Sequence, residues 1–200
     1  MTPFTALNRE HWLTELAARM EPLFQASRLK LPSGSYRVTC GWPCKGGTGS
    51  KTYRIGECHA AKSSTGGVHE LFISPRIETP AEVAGTLCHE LLHVAIGVEH
   101  SHDSVFVAGC QAIGLTQGKP TSAGPGIRLA KVLERLTAEL GPYPHKKLEP
   151  LGKLVKQRPP YTAKVICDCG CKFSLGLKWI NAVGVPTCGC GLKMKMVEPF

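Results

Sequence analysis

The chain contains no run of eighteen or so uninterrupted apolar residues, the length a helix needs to cross a bilayer. Residues 1–9 also lack a basic stretch followed by an apolar one, so neither a membrane span nor a secretory leader is expected. Internal repeats and low-complexity tracts are missing too, apart from two similar Cys-x-Cys-Gly units, and this leaves an ordinary fold rather than an array. Charged residues are only 20% of the chain against 42% apolar, a balance that excludes an unfolded polymer. Acid is scarcest near the C-terminus. Residues 146–200 hold 3 Asp/Glu against 10 Lys/Arg, whereas residues 1–145 hold 12 against 14, so most of the formal charge of +9 sits in the last quarter. A segment so short of acid predicts either a polyanionic partner such as nucleic acid or a solvated basic face.

Two hundred residues suit one domain of ordinary size with a small appendage. The basic, aperiodic residues 146–160, ending in Pro159-Pro160, read as a linker between a domain at 1–145 and a module at 161–200. Cysteine is plentiful at ten residues, and half of them crowd into Cys167/Cys169/Cys171 and Cys188/Cys190 beside glycines. Such crowding predicts thiolates around a metal in a reducing cytoplasm rather than disulfides.

Residues 7–25 place Trp12, Leu16, Met20, Leu23 and Phe24 at helical spacing despite Pro22, which predicts an amphipathic helix on the core. Residues 36–39 and 71–74 are short β-prone runs that predict a small sheet, and the Gly-, Ser- and Lys-rich residues 46–51 read as a loop. Thr79-Pro80-Ala81-Glu82 is a helix start: Thr79 can cap, Pro80 suits the first helical position and Glu82 completes a capping box. That helix should run to Ile96 and end at Gly97. Two more helices are expected, at 103–113 and 127–140, the latter with an apolar stripe of Leu129, Val132, Leu133, Leu136 and Leu140 that reads as core.

The capped helix carries His89-Glu90-Leu91-Leu92-His93, the His-Glu-x-x-His pattern. Residues four apart share a helical face, so His89 and His93 can offer imidazole nitrogens to one ion while Glu90 stands beside it. A zinc with three protein ligands keeps a position open for water, lowers that water's pKa to about 7 and polarises a carbonyl. Glu90 would then accept the water's proton and pass it to a leaving amine. The third ligand must come from beyond Gly97. His102 is the first choice because it precedes a helix that can turn it back, with His100 second and Glu99 third. The metzincin spacing is missed by one residue.

Residues 54–58 (Arg-Ile-Gly-Glu-Cys), 70–75 (Glu-Leu-Phe-Ile-Ser-Pro), the 89–93 motif and 102–106 together resemble the SprT-like metallopeptidases. Residues 112–115 and 141–145 are similar to the form found in bacteriophage-encoded members, which would place the chain in a host cytoplasm. The resemblance implies an α+β, zincin-like fold of helices on a small sheet, a zinc metalloendopeptidase acting on protein, His89, His93 and His102 as zinc ligands, and Glu90 as general base. The family's third histidine is usually followed by glycine, where this chain has Asp103. Better-understood relatives cleave proteins crosslinked to DNA.

At the C-terminal end, Cys167-Asp168-Cys169-Gly170-Cys171 and Cys188-Gly189-Cys190-Gly191 flank a segment with Phe173, Leu175, Leu177 and Trp179 that is expected to form a hairpin. Paired cysteines about 16 to 20 residues apart follow the logic of a four-cysteine zinc ribbon. The parallel units favour Cys167, Cys169, Cys188 and Cys190, with Cys171 as substitute. A module of this size buries little apolar area, so a structural zinc would supply its folding energy. Lys164, Lys172, Lys178, Lys193 and Lys195 with Trp179 offer either a grip on a nucleic-acid backbone or a solvated face. Cys40 and Cys44 with Cys58 and His59 are a further metal site to weigh against buried thiols, and Cys88 and Cys110 read as core. His11, His69 and His145 have no metal-like spacing. The competing expectation is a non-catalytic, zinc-containing nucleic-acid-binding or transcription-associated protein.

Overall fold

Local signals set most element boundaries in the computed structural model, which describes residues 6–49, 52–150 and 161–197. Helix α1 (Arg9–Ala26) starts at Asn8, whose side chain accepts the His11 N–H at 2.8 Å. It buries Trp12, Leu13, Leu16, Ala17, Met20 and Phe24. Pro22 lies inside it, on the exposed face together with Ala18, so the carbonyl deprived of its helical partner is on the solvent side.

Three strands, β1 (Tyr36–Cys40), β2 (Gly56–His59) and β3 (His69–Ile73), form a sheet in the order β1-β3-β2. β1 runs parallel to β3, and β2 runs antiparallel to it. The β-prone runs pointed to β1 and β3, whereas β2 was not expected: Gly-Glu-Cys-His has no branched or aromatic residue, and only pairing with β3 makes it a strand. Of the predicted 46–51 loop, residues 50 and 51 lie outside the described residues, residues 46–48 are turn and Gly49 is irregular.

Helix α2 (Pro80–Ile96) begins as the capping signal predicts, with Thr79 Oγ1 accepting the Glu82 N–H at 3.3 Å. The Thr79 hydroxyl also donates to Glu82 Oε2 at 2.6 Å, so the two side chains bond each other instead of forming a fully reciprocal box. Every residue from Val83 through His93 is buried, as in a helix covered on all sides. Helix α3 (Ser104–Ile113) packs on it, with Gly109 against Leu92 and Ile96. Helix α4 (Ile127–Leu140) buries Leu129, Leu133, Thr137 and Leu140, close to the expected stripe. The Trp12 indole N–H donates to the Gly141 carbonyl at 3.1 Å and ties α1 to the end of α4.

The chain divides into two compact units at residues 150/151. Residues 146–150, grouped with the linker by sequence, are fastened to the first unit: the Leu148 N–H donates to Pro75 O and the Lys147 N–H to Glu78 Oε2. Residues 151–160, with Pro159-Pro160, lie outside the described residues.

In the second unit, β4 (Thr162–Ile166), β5 (Lys172–Gly176) and β6 (Lys195–Val197) form an antiparallel sheet in the order β5-β4-β6, with α5 (Leu177–Val183) after β5. The expected hairpin is displaced. β5 pairs with β4 across the first cysteine turn, and Leu177 to Val183 are helical because Leu177 and Ile180, three apart, can share one apolar contact with the core. That core is small: Ala163, Val165, Cys167, Ile180 and Met194. The molecule is thus α+β, and among the described residues no helix is long and apolar enough to cross a membrane.

Candidate functional site

The buried middle of α2 presents His89 and His93 one turn apart, with ring centroids 5.2 Å from each other. After α2 the chain makes a single 3-10 turn (Val98–His100), and Ser101, at φ 46°, redirects the backbone so that His102 faces α2. His102 Nε2 lies 3.3 Å from His89 Nε2, and one ring nitrogen from each of His89, His93 and His102 falls within 4.8 Å of the others. This trio can hold a metal ion. The other two residues considered for the third place do not join it. His100 Nδ1 sits 3.0 Å from Asp103 Oδ2, and Glu99 is absent from the converging group.

Asp103, standing where glycine is usual in the resembling family, caps α3: its Oδ1 accepts the N–H groups of Val105 and Phe106 at 2.8 and 3.2 Å. That cap fixes the first turn of α3, which holds Phe106 against all three imidazoles. The ring stacks on His93 at 4.4 Å and touches His89 and His102 at 5.0 and 4.8 Å. The part played by Phe106 was not read from the sequence. The available signal was its position four residues after His102, at the start of an amphipathic helix.

Burial favours the neutral, lone-pair-donating form of these rings. Burial, reinforced by His102, lowers His89 to about 4, and burial with His89 and His102 lowers His93 to about 3. His102 is lowered as well, by burial and then by the Arg54 guanidinium. His89 also hydrogen-bonds the Ala123 backbone, the kind of contact that orients ligating histidines.

Glu90 points from α2 toward β2 and is only 6% exposed. Burial, with a further contribution from Glu57, raises its carboxyl to about 8 against the opposing Arg54. Gly56 is what lets it fit: a Cβ there would collide with Glu90 Oε1 and Thr86 Cγ2. These groups line an open cleft of about 820 Å³ whose walls include Tyr53, Arg54, Glu57, Glu90, His93 and Ala123. Of the four residues weighed as a further metal site, Cys44 and His59 approach each other in the company of Glu57, while Cys40 and Cys58 stay outside that group.

In the second unit, each Cys-x-Cys-Gly unit closes a tight turn. Gly170 N–H donates to Cys167 O at 2.9 Å and Gly191 N–H to Cys188 O at 2.8 Å, with both glycines at left-handed φ, 89° and 86°. The two turns bring Cys167 Sγ to 3.5 Å from Cys190 Sγ and Cys169 Sγ to 3.6 Å from Cys188 Sγ. All ten cysteines are free thiols, and these four can hold a metal ion while Cys171 lies outside the group. Hydrogen bonds from the Cys190 backbone and the Cys169 thiol lower Cys188, which favours a thiolate there. Trp179 is 60% exposed on α5, and Lys195 is paired with Asp168 at 2.9 Å. No family model, curated protein or solved structure matches the chain.

Proposed function

We propose that the chain is a zinc-dependent endopeptidase of the SprT-like kind, zincin-like in its first unit and built as a zinc ribbon in its second. Its support is one observation: three imidazoles converge from α2 and the following loop beside a buried carboxyl, on the wall of an open cleft. The donor set suits zinc. Tetrahedral zinc with Zn–N bonds of about 2.0–2.1 Å separates its nitrogens by about 3.3–3.4 Å, and the His89 and His102 Nε2 atoms are 3.3 Å apart. For four thiolates at about 2.3 Å the corresponding separation is about 3.8 Å, near the 3.5 and 3.6 Å of the two sulfur pairs.

When bound, zinc would polarise the scissile carbonyl and acidify a water in the position left open by three protein ligands. Glu90 would take the proton from the attacking water on its carboxylate and deliver it to the leaving amine. An extended peptide suits the cleft because β2, which lines it, is an edge strand able to pair with a further chain. Replacing Glu90 by Gln should leave the zinc content unchanged and lower peptide hydrolysis at least about 10²-fold. Hydrolysis at the wild-type rate in that variant would refute the enzyme.

A second reading, nucleic-acid binding through the basic C-terminal unit, is favoured by the exposed aromatic rings of Trp179 and Phe173 among its lysines. It predicts a shift of DNA mobility that weakens steeply with salt and vanishes on deleting residues 161–200. Binding that survives the deletion or ignores salt would refute it. The two readings are compatible in an endopeptidase acting on DNA-associated protein.

A further inference from the structure

We propose that Cys44, Glu57 and His59 form a third divalent-cation site, distinct from the three-histidine centre and set into the wall of the same cleft. Nothing in it depends on whether the histidine centre hydrolyses peptides.

Alternation along β2 puts Glu57 and His59 on one face, while Cys58 between them points the other way, into packing against the core. The loop after β1 then brings Cys44 to that face. Its backbone N–H donates to Glu57 Oε2 at 2.6 Å, and the donor atoms of Cys44, Glu57 and His59 all lie within 4.8 Å of one another. Arg54 holds the other carboxylate oxygen, Oε1, at 3.1 Å, which fixes the orientation of Glu57. The His59 ring is set edge-on against Phe72 at 5.5 Å.

The second observation is His59 Nε2 itself. It is buried and makes no hydrogen bond, although Glu57 Oε2 is only 3.3 Å away. A buried ring nitrogen that makes no hydrogen bond is costly. A cation shared by this nitrogen, the Glu57 carboxylate and the Cys44 sulfur removes that cost. One thiolate, one imidazole and one carboxylate make a borderline donor set that selects zinc-like ions over magnesium or calcium. Three protein ligands leave a coordination position open. The ion would fasten the loop carrying Cys44 to β2, the strand that also brings Gly56 against Glu90.

The test counts metal on the full chain after dialysis against buffered micromolar free zinc, using elemental analysis. The wild type should hold three zinc ions per chain, and Cys44→Ala and His59→Gln two each. Since Cys44 is an exposed loop residue, Cys44→Ala should fold normally, and far-UV circular dichroism checks it. His93→Ala, which removes a ligand of the histidine centre, should also hold two, and the Cys44→Ala/His93→Ala double variant one. Cobalt loaded in place of zinc should show weaker thiolate-to-metal charge transfer in Cys44→Ala than in the wild type. Two zinc ions in the wild type, a third that binds only at millimolar zinc, an unchanged count in Cys44→Ala, or a double variant that loses no more than His93→Ala alone would each overturn the site.

Discussion

At the scale of single residues, the histidine centre sets buried imidazoles against a buried carboxyl. His89, His93 and Glu90 are each under 10% exposed, and burial favours the neutral form of all three. For the histidines the folded values of about 4 and 3 lie below the ordinary 6.5, so the unfolded chain binds more protons and stability is lost as pH falls below 6.5. For Glu90 the folded value of about 8 lies above the ordinary 4.5, so stability is lost as pH rises from 4.5 through 8. Between pH 4.5 and 6.5 the histidines, His102 among them, outweigh the glutamate, and above 6.5 the glutamate acts alone. The metal-stripped first unit should therefore be most stable near pH 6.5 and lose stability on either side. Denaturant melts across this range measure it, and Glu90→Gln should abolish the fall between pH 6.5 and 8.

Elements decide whether those residues meet. The α2 pair needed only a helix, and the Thr79 cap, the Pro80 start and the Gly97 stop announced that helix in the sequence. The third imidazole is different, because its place depends on the turn at Ser101 and on how α3 starts. Asp103 governs that start through its two backbone hydrogen bonds and also holds His100 away from the trio. Asp103→Ala should destabilise the first unit by about 0.5–2 kcal/mol and weaken metal binding at the histidine centre about 10- to 100-fold, as loss of a group that orients a ligand does. Asp103→Asn, which can still cap, should keep most of both. Calorimetric metal titration alongside thermal melts separates the two effects, and equal affinity in wild type and Asp103→Ala would show that the cap does not position His102. The strand β2 marks the opposite limit. Its four residues carry no local β signal, yet they bring Gly56, Glu57 and His59 to the cleft through pairing with β3.

On the scale of the whole molecule, the two units are held together by different physics. The first buries a core that spans α1 through α4 and includes Trp12, Phe24, Leu71, Leu87 and Phe106, all fully buried. Among its described residues the second has five buried ones, one of them the ligand candidate Cys167, far too little apolar area to offset the entropy of ordering its strands. Metal chelation should therefore unfold the second unit and leave the first folded. Hydrogen exchange reads this directly: after chelation the β4 amides should lose protection, while those in α2 between Ala84 and Ile96 keep theirs. Protection that persists in β4 would mean the four sulfurs are dispensable for folding.

Sequence alone determined the features written in short-range chemistry: the capped helix with two histidines and a glutamate at fixed spacing, the apolar stripe of α4, and the paired Cys-x-Cys-Gly turns. These were legible because helix periodicity and turn chemistry act within a few residues. Tertiary structure decided which of three downstream residues approaches His89 and His93, why Gly56 and Phe106 matter to them, that Leu177 to Val183 form a helix rather than a hairpin arm, and that Glu57 replaces Cys40 and Cys58 beside Cys44 and His59. Each of those outcomes depends on chain segments packed from afar, where burial and cross-strand pairing override local preference.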